Sequence, residues 1–269
     1  KGFIGSANVD TNSRLCMASA VAAHKRAFGE DVVPCDYQDL NECELLVMVG
    51  SNAAWAHPVL FQSVLERRQA GTLKVVVIDP RATTTAQEAD LHLAIRPGAD
   101  LALFNGLLSH LHQVGATDLD FIQTHTSGFA GALEEIGADD DNVADVASAC
   151  GLTEAELQTF FELFVQTKKV VTLYSQGVNQ SVRGADQCNA IINCHLATGR
   201  LGKSGMGPFS ITGQPNAMGG REVGGMANTL AAHMDFEADS VDKVARFWQA
   251  TSIAKTPGLK AVDMFNAMA

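Results

Sequence analysis

Three short apolar runs set the limits on what this chain can fold into. Leu45–Val49 (LLVMV), Lys74–Ile78 (KVVVI) and residues 91–95 (LHLAI) are aliphatic or β-branched and too short for buried helices. Each ends in turn chemistry: Gly50-Ser51-Asn52, Asp79-Pro80-Arg81 and Arg96-Pro97-Gly98. Between the first two lies a helical pattern at 57–69, with Pro58 suited to its first turn. Strand, helix, strand, short link, strand is the grammar of an α/β fold with a doubly wound, mainly parallel sheet of dinucleotide-binding type. A helix is expected at 101–112, then a helical insertion to about Thr167. A fourth strand at 169–174 (KVVTLY) opens into SQGVNQ.

Beyond Gly199 the texture changes. Nine glycines fall between 199 and 225, a density that excludes regular helix over most of the stretch and brings backbone close to something. A length of 269 residues accommodates one large domain or two. The net charge of −11 argues against nucleic acid or an anionic membrane as partner. No apolar run approaches the length of a bilayer span. A small anionic substrate is compatible with that charge only if a local positive site receives it.

None of the six cysteines forms a C-x-x-C pair, so no zinc ribbon or iron–sulfur run is written here. So few cysteines in so long a chain do not make a disulfide framework, and a reducing compartment is expected. Cys16 stands apart from the others. With Asn12 or Ser13 as cap and Gly29 as terminator, it is expected near the third or fourth position of one helix. There the helix dipole and Arg14 would favour thiolate, the form that ligates metal or attacks substrate. The alternative is a small buried hydrophobe, which is also the reading for Cys35, Cys43, Cys150, Cys188 and Cys194.

Three further places carry chemistry or mere geometry. A strand ending in Gly50-Ser51-Asn52 presents backbone N–H groups that suit a phosphate, or is only a tight turn. Asp79, at the next strand end, suits a ribose hydroxyl, or forms an Asp-Pro turn. The absence of G-x-G-x-x-G counts against ordinary NAD binding. Arg221, in GGREVGG, suits a planar oxyanion, or pairs with Glu222 or an interface. His110 and His112 fall on different helix faces and read as surface.

Taken in order, ANVDTNSRLCMASAV, VGSNAAWAHPVLF, IDPR, QGVNQ and TGQPNAMGGREVGGMAN closely resemble the molybdenum subunit of prokaryotic nitrate reductases, in the flavour of the assimilatory branch. The resemblance covers essentially the whole chain. It implies a middle segment of a longer enzyme carrying molybdenum bound by two molybdopterin guanine dinucleotides, with a 4Fe-4S cluster in an N-terminal part not present here. It also implies three parts. Residues 1–18 form the edge of a discontinuous cofactor domain that is part of a second α/β domain. Residues 19–210 form the guanine-dinucleotide-binding domain. Residues 211–269 return to the first domain with the substrate loop.

By the same resemblance Cys16 is the metal ligand. Met17 stands where formate-oxidising relatives usually carry His. Gln214 and Arg221 approach nitrate. Gly50, Ser51 and Asn52 cradle one dinucleotide, with Asp79, Arg81 and Asp100 at the strand ends beyond. Asn12, Gln176 and Gln180 touch the cofactor. The implied partners are nitrate and an electron-donor protein or reductase subunit, and the implied compartment is cytoplasmic, with a periplasmic branch close by. The segment alone is expected to be inactive. The rival readings are a formate dehydrogenase or other oxyanion reductase, and a non-catalytic α/β nucleotide-binding module.

Overall fold

The computed structural model describes residues 1–139, 142–213 and 217–269. The chain divides into two compact units: Lys1–Ala18 with Gln214–Ala269, and Ser19–Gly213. We call them unit 1 and unit 2.

Unit 1 carries the one-turn helix α1 (Ser13–Cys16). The chain then enters unit 2, where α2 (Ala18–Phe28) and α3 (Tyr37–Glu42) lead to β1 (Leu45–Val49). A one-turn α4 (Ala53–Ala56) and α5 (Pro58–Gln69) reach β2 (Lys74–Ile78); α6 (Thr84–Gln87) reaches β3 (Leu91–Leu93). Five helices follow: α7 (Asp100–Gln113), α8 (Leu119–His125), α9 (Phe129–Ile136), α10 (Val143–Cys150) and α11 (Glu154–Gln166). Unit 2 closes with β4 (Val170–Tyr174), α12 (Gln176–Asn179), α13 (Gly184–Ala197) and β5 (Gly207–Ser210).

The sheet runs β3-β2-β1-β4-β5 and every pairing is parallel. Winding goes outward from β1 through β2 to β3, then restarts on the other side with β4 and β5. The order therefore reverses between β1 and β4, where doubly wound sheets form their ligand crevice at the carboxyl ends. All five residues of β1 and of β4 are buried, as strands covered on both faces require.

Alternate side chains feed two cores. Leu45, Val47 and Val49 pack with Val76, Ile78 and Tyr174 and with a phenylalanine cluster of Phe104, Phe160, Phe161 and Phe164. Leu46 and Met48 pack on the other face with Val75, Val77, Leu173, Phe61 and Phe209. The result is helix, sheet, helix in three layers.

Several expectations need correction. The strand expected at 91–95 stops at Leu93, because the Ile95 N–H turns back to the Leu93 carbonyl and Arg96 N–H goes to Cys150. The Gly-rich stretch, read only as excluding regular helix over most of its length, holds the strand β5 without contradicting that reading. His110 is not simply a surface group: it is partly buried against the Phe161 ring (5.1 Å), and burial lowers its pKa. His112 lies beside Phe129 and 3.6 Å from Asp139.

After α1, unit 1 continues with α14 (Ala217–Glu222), α15 (Ala238–Trp248) and α16 (Ala261–Met268); among its described residues there is no strand. Leu230, Val244 and Ile253 form its small core. Among the described residues no helix is long and apolar enough to cross a membrane.

Candidate functional site

In unit 2 the candidate residues gather on the loops that leave the carboxyl ends of the strands. Gly50 follows β1 with φ +55, in the left-handed region. Its backbone lies against Gly177, just beyond β4, and Gly177 N–H donates to the Gly50 carbonyl at 3.0 Å. Ser51 is 2% exposed, and among the described residues its hydroxyl has no hydrogen-bond partner. Asn52 is pinned by Thr85, whose hydroxyl donates to Asn52 Oδ1 at 2.8 Å and accepts from Ala54 N–H at 3.0 Å. The loop after β1 is thereby tied to the loop after β2.

Asp79 and Asp100 are both buried and close enough to repel. Asp79 Oδ1 accepts from Arg81 N–H at 2.9 Å, while the exposed Arg81 guanidinium stands 3.7 Å away. Asp100 begins α7, and Gln187 Nε2 reaches its Oδ2 at 3.4 Å. Burial foremost, then the Asp79 charge, raises the Asp100 pKa, against the pull of a hydrogen bond from its own backbone. Gln176 Nε2 donates to Thr212 Oγ1 at 2.9 Å, and the Thr212 carbonyl is 2.9 Å from His57 Nε2. Gln180 is exposed at the end of α12.

In unit 1 the helix expected around Cys16 is two helices. Met17 has φ −133, which breaks the run after one turn, so Gly29 ends α2 and not the helix bearing Cys16. Cys16 closes that single turn, and four residues cannot sum a useful dipole. Arg14 does not act on the thiol alone either: its guanidinium is paired with Asp10 at 2.8 Å. Cys16 and Met17 are both buried. Asn12 is exposed and makes no side-chain cap.

Arg221 sits at the end of α14 and is 4% exposed. Glu222 is 2.6 Å from His233 Nε2. Gly224, at φ +77, ends α14, and the Gly225 N–H returns to the Gly220 carbonyl. Gln214 lies outside the described residues.

Sequence reasoning missed Gly177, Thr85 and Thr212, the groups that lock Gly50, Asn52 and Gln176 in place. Only Gly177 had a signal, a glycine just beyond a strand end. It also missed Asp10, whose carboxylate accepts two hydrogen bonds from Arg14, four residues on, and one each from the distant Ala227 and Ala261 amides.

The class these features define is an α/β unit of the dinucleotide-binding type with its loops gathered at a switch crevice. Acetylene hydratase from Pelobacter acetylenicus has a similar fold: TM-score 0.59 at 22% identity, over 72% of this chain and 25% of that one. The sequence matches the molybdopterin oxidoreductase family over residues 1–269, and the chain belongs to that family. It is 54% identical to a nitrate reductase of Shewanella frigidimarina and 53% identical to one of Klebsiella oxytoca, each over 100% of this chain. An assimilatory nitrate reductase of Haloferax mediterranei is 41% identical over 91% of the chain. The chain spans 29% and 30% of the first two relatives and 33% of the third.

The site suits part of a nucleotide-bearing cofactor. A buried Ser51 hydroxyl with no hydrogen-bond partner among the described residues, and two buried carboxylates able to accept O–H or N–H donors, fit such a group.

Proposed function

We propose that this chain is a middle segment of the catalytic subunit of an assimilatory nitrate reductase, reducing nitrate to nitrite at molybdenum held by two molybdopterin guanine dinucleotides. The observation that carries the reading is identity above half, along the whole chain, to proteins named nitrate reductase. When bound, the molybdenum cofactor supplies the two-electron chemistry that turns nitrate, with two protons, into nitrite and water.

The chain's own residues bind and orient. Cys16 offers a buried sulfur as metal ligand, with Met17 beside it. Ser51 and the backbone of Gly50 and Asn52 hold phosphate oxygens, and the Ser51 hydroxyl gains a partner that none of the described residues supplies. Asp79 and Asp100 accept donors from one guanine nucleotide, with Arg81 at the rim and Gln176, Gln180 and Asn12 as further polar contacts. Arg221 and Gln214 direct nitrate, Arg221 through a charge-assisted pair of hydrogen bonds. A 4Fe-4S cluster outside this segment and an electron-donor protein or reductase subunit would deliver electrons. The assimilatory name of the Haloferax relative supports a cytoplasmic setting; a Desulfovibrio desulfuricans relative at 33% identity is named periplasmic.

The test is metal analysis and turnover of the full-length protein. It should contain molybdenum and reduce nitrate but not oxidise formate, and Cys16→Ala should abolish turnover while Cys150→Ala leaves it near normal. Absence of molybdenum, or near-normal nitrate reduction by Cys16→Ala, overturns the reading.

A further inference from the structure

Asp10 ties together the two chain segments of unit 1, each of which carries candidate chemistry. Its side chain is 1% exposed, and its two oxygens take four donors. Oδ1 accepts from the N–H of Ala227 and from an Arg14 terminal nitrogen, both at 3.1 Å. Oδ2 accepts from Arg14 Nε at 2.8 Å and from Ala261 N–H at 2.9 Å. Arg14 passes the link on, donating to Asn228 Oδ1 at 2.5 Å.

The same loop is gripped from its other side. Lys1 Nζ donates to the carbonyls of Gly224, at 2.8 Å, Met226 and Thr229. Residues 224–229 therefore have an amide tied to Asp10 and carbonyls tied to Lys1. This loop directly continues α14, which ends with Arg221 and Glu222, and Gly224 N–H bonds back to the Arg221 carbonyl. At the other end, Arg14 belongs to the same single turn as Cys16. An ordinary structural carboxylate would join neighbours in one element; this one joins the turn bearing Cys16 to the loop that follows Arg221.

We infer that Asp10 is a positioning residue, fixing the loop that follows Arg221 against the turn that carries Cys16, so that nitrate meets the guanidinium in register. The inference rests on the proposed roles of Cys16 and Arg221. Full ionisation and both oxygens are needed: an amide in place of the carboxylate offers one acceptor to four donors and leaves the Arg14 charge without its partner. Loss of register of about 1 Å at a reacting centre costs on the order of 100-fold in rate.

The test uses the full-length, molybdenum-loaded enzyme. Asp10→Asn should keep molybdenum content, raise KM for nitrate on the order of 10- to 100-fold with a smaller fall in kcat, and speed hydrogen exchange at the Ala227 and Ala261 amides. Where Asp10→Asn fails to accumulate, Asn228→Ala removes only the Arg14 link to the loop and should raise KM in smaller measure. An unchanged KM in the variant that accumulates overturns the inference. So does a fall in activity that merely tracks lost molybdenum, or unchanged exchange in Asp10→Asn. Unaltered enzyme and Arg221→Ala run in parallel keep the two readings apart. If the parent does not reduce nitrate, or Arg221→Ala is normal, the functional reading has failed, and positioning for nitrate falls with it. If both controls behave as expected, a failure belongs to Asp10 alone.

Discussion

Gly50 and Gly177 meet backbone to backbone between β1 and β4: a Cβ on Gly50 would lie 2.6 Å from the Gly177 Cα, and one on Gly177 would lie 2.5 Å from the Gly50 Cα. Neither neighbour is a flexible side chain that can swing away. Gly50 also has φ +55, so Gly50→Ala adds backbone strain to the clash, whereas Gly177→Ala tests the clash alone. Expected losses are about 3 kcal/mol or more for Gly50→Ala and about 2 kcal/mol for Gly177→Ala, read by urea unfolding. A parental midpoint for Gly177→Ala would mean that the two loops part without cost.

Asp100 gives the chain a pH signature. Its folded pKa is raised, chiefly by burial and then by Asp79, so the folded state keeps this proton to higher pH than the unfolded chain does. Stability from this group therefore declines as pH rises from the ordinary carboxylate pKa through the raised one, and the penalty stays in full above it. Asp100→Asn should unfold at higher temperature than the parent at neutral pH and show a flatter profile on the acid side. Thermal midpoints that fall equally with pH in parent and variant would refute this.

Arg200 is a cation with 7% exposure, and burial lowers its pKa to about 10. It donates to the carbonyls of Phe164, at 2.9 Å, and Thr167, at 2.5 Å, where α11 ends, and lies 4.7 Å from the Phe164 ring. Two effects compete in Arg200→Met: relief of a desolvated charge, and two carbonyls left without donors. The second wins here, since both carbonyls close α11 and that of Phe164 is buried, so a loss of about 2–4 kcal/mol is expected. Arg200→Lys should recover part of it. A Met variant as stable as the parent in denaturant would show that relief of the buried charge is the larger effect.

For Arg221, the full-length enzyme carries the test. Loss of a charge-assisted hydrogen bond in a desolvated site typically costs about 2–4 kcal/mol, or roughly 30- to 1,000-fold. Arg221→Ala should lower kcat/KM for nitrate by that much with molybdenum content intact, and Arg221→Lys should recover only part. Loss of cofactor in Arg221→Ala would make the residue structural.

The strands were legible where periodicity and turn chemistry agreed. β1 and β2 begin and end where the apolar runs do, because both are buried on two faces and need no alternation. β5 was hidden by its own sequence: GPFS holds a glycine, which weakens a strand, and a proline, which suits a sheet edge, and β5 is one of the two edge strands. The break at Met17 left no mark either, since the sequence from Ser13 to Phe28 has no internal Gly or Pro to announce it. Candidate residues on strand-end loops could be named from their motifs. The partners that immobilise them could not, because Thr85, Thr212 and the Ala227 and Ala261 amides on Asp10 act across contacts that no local spacing encodes.

Unit 1 is written in two instalments, with Ser19–Gly213 between them. On a ribosome adding roughly 5–20 residues per second, the segment with Cys16 emerges about 10–40 s before the loop that Lys1 and Asp10 will grip. During that interval Asp10 has Arg14 but not the Ala227 and Ala261 amides, and Lys1 lacks its three carbonyls, while the intervening parallel sheet can already assemble. Unit 1 is thus sealed late, only when the second instalment arrives.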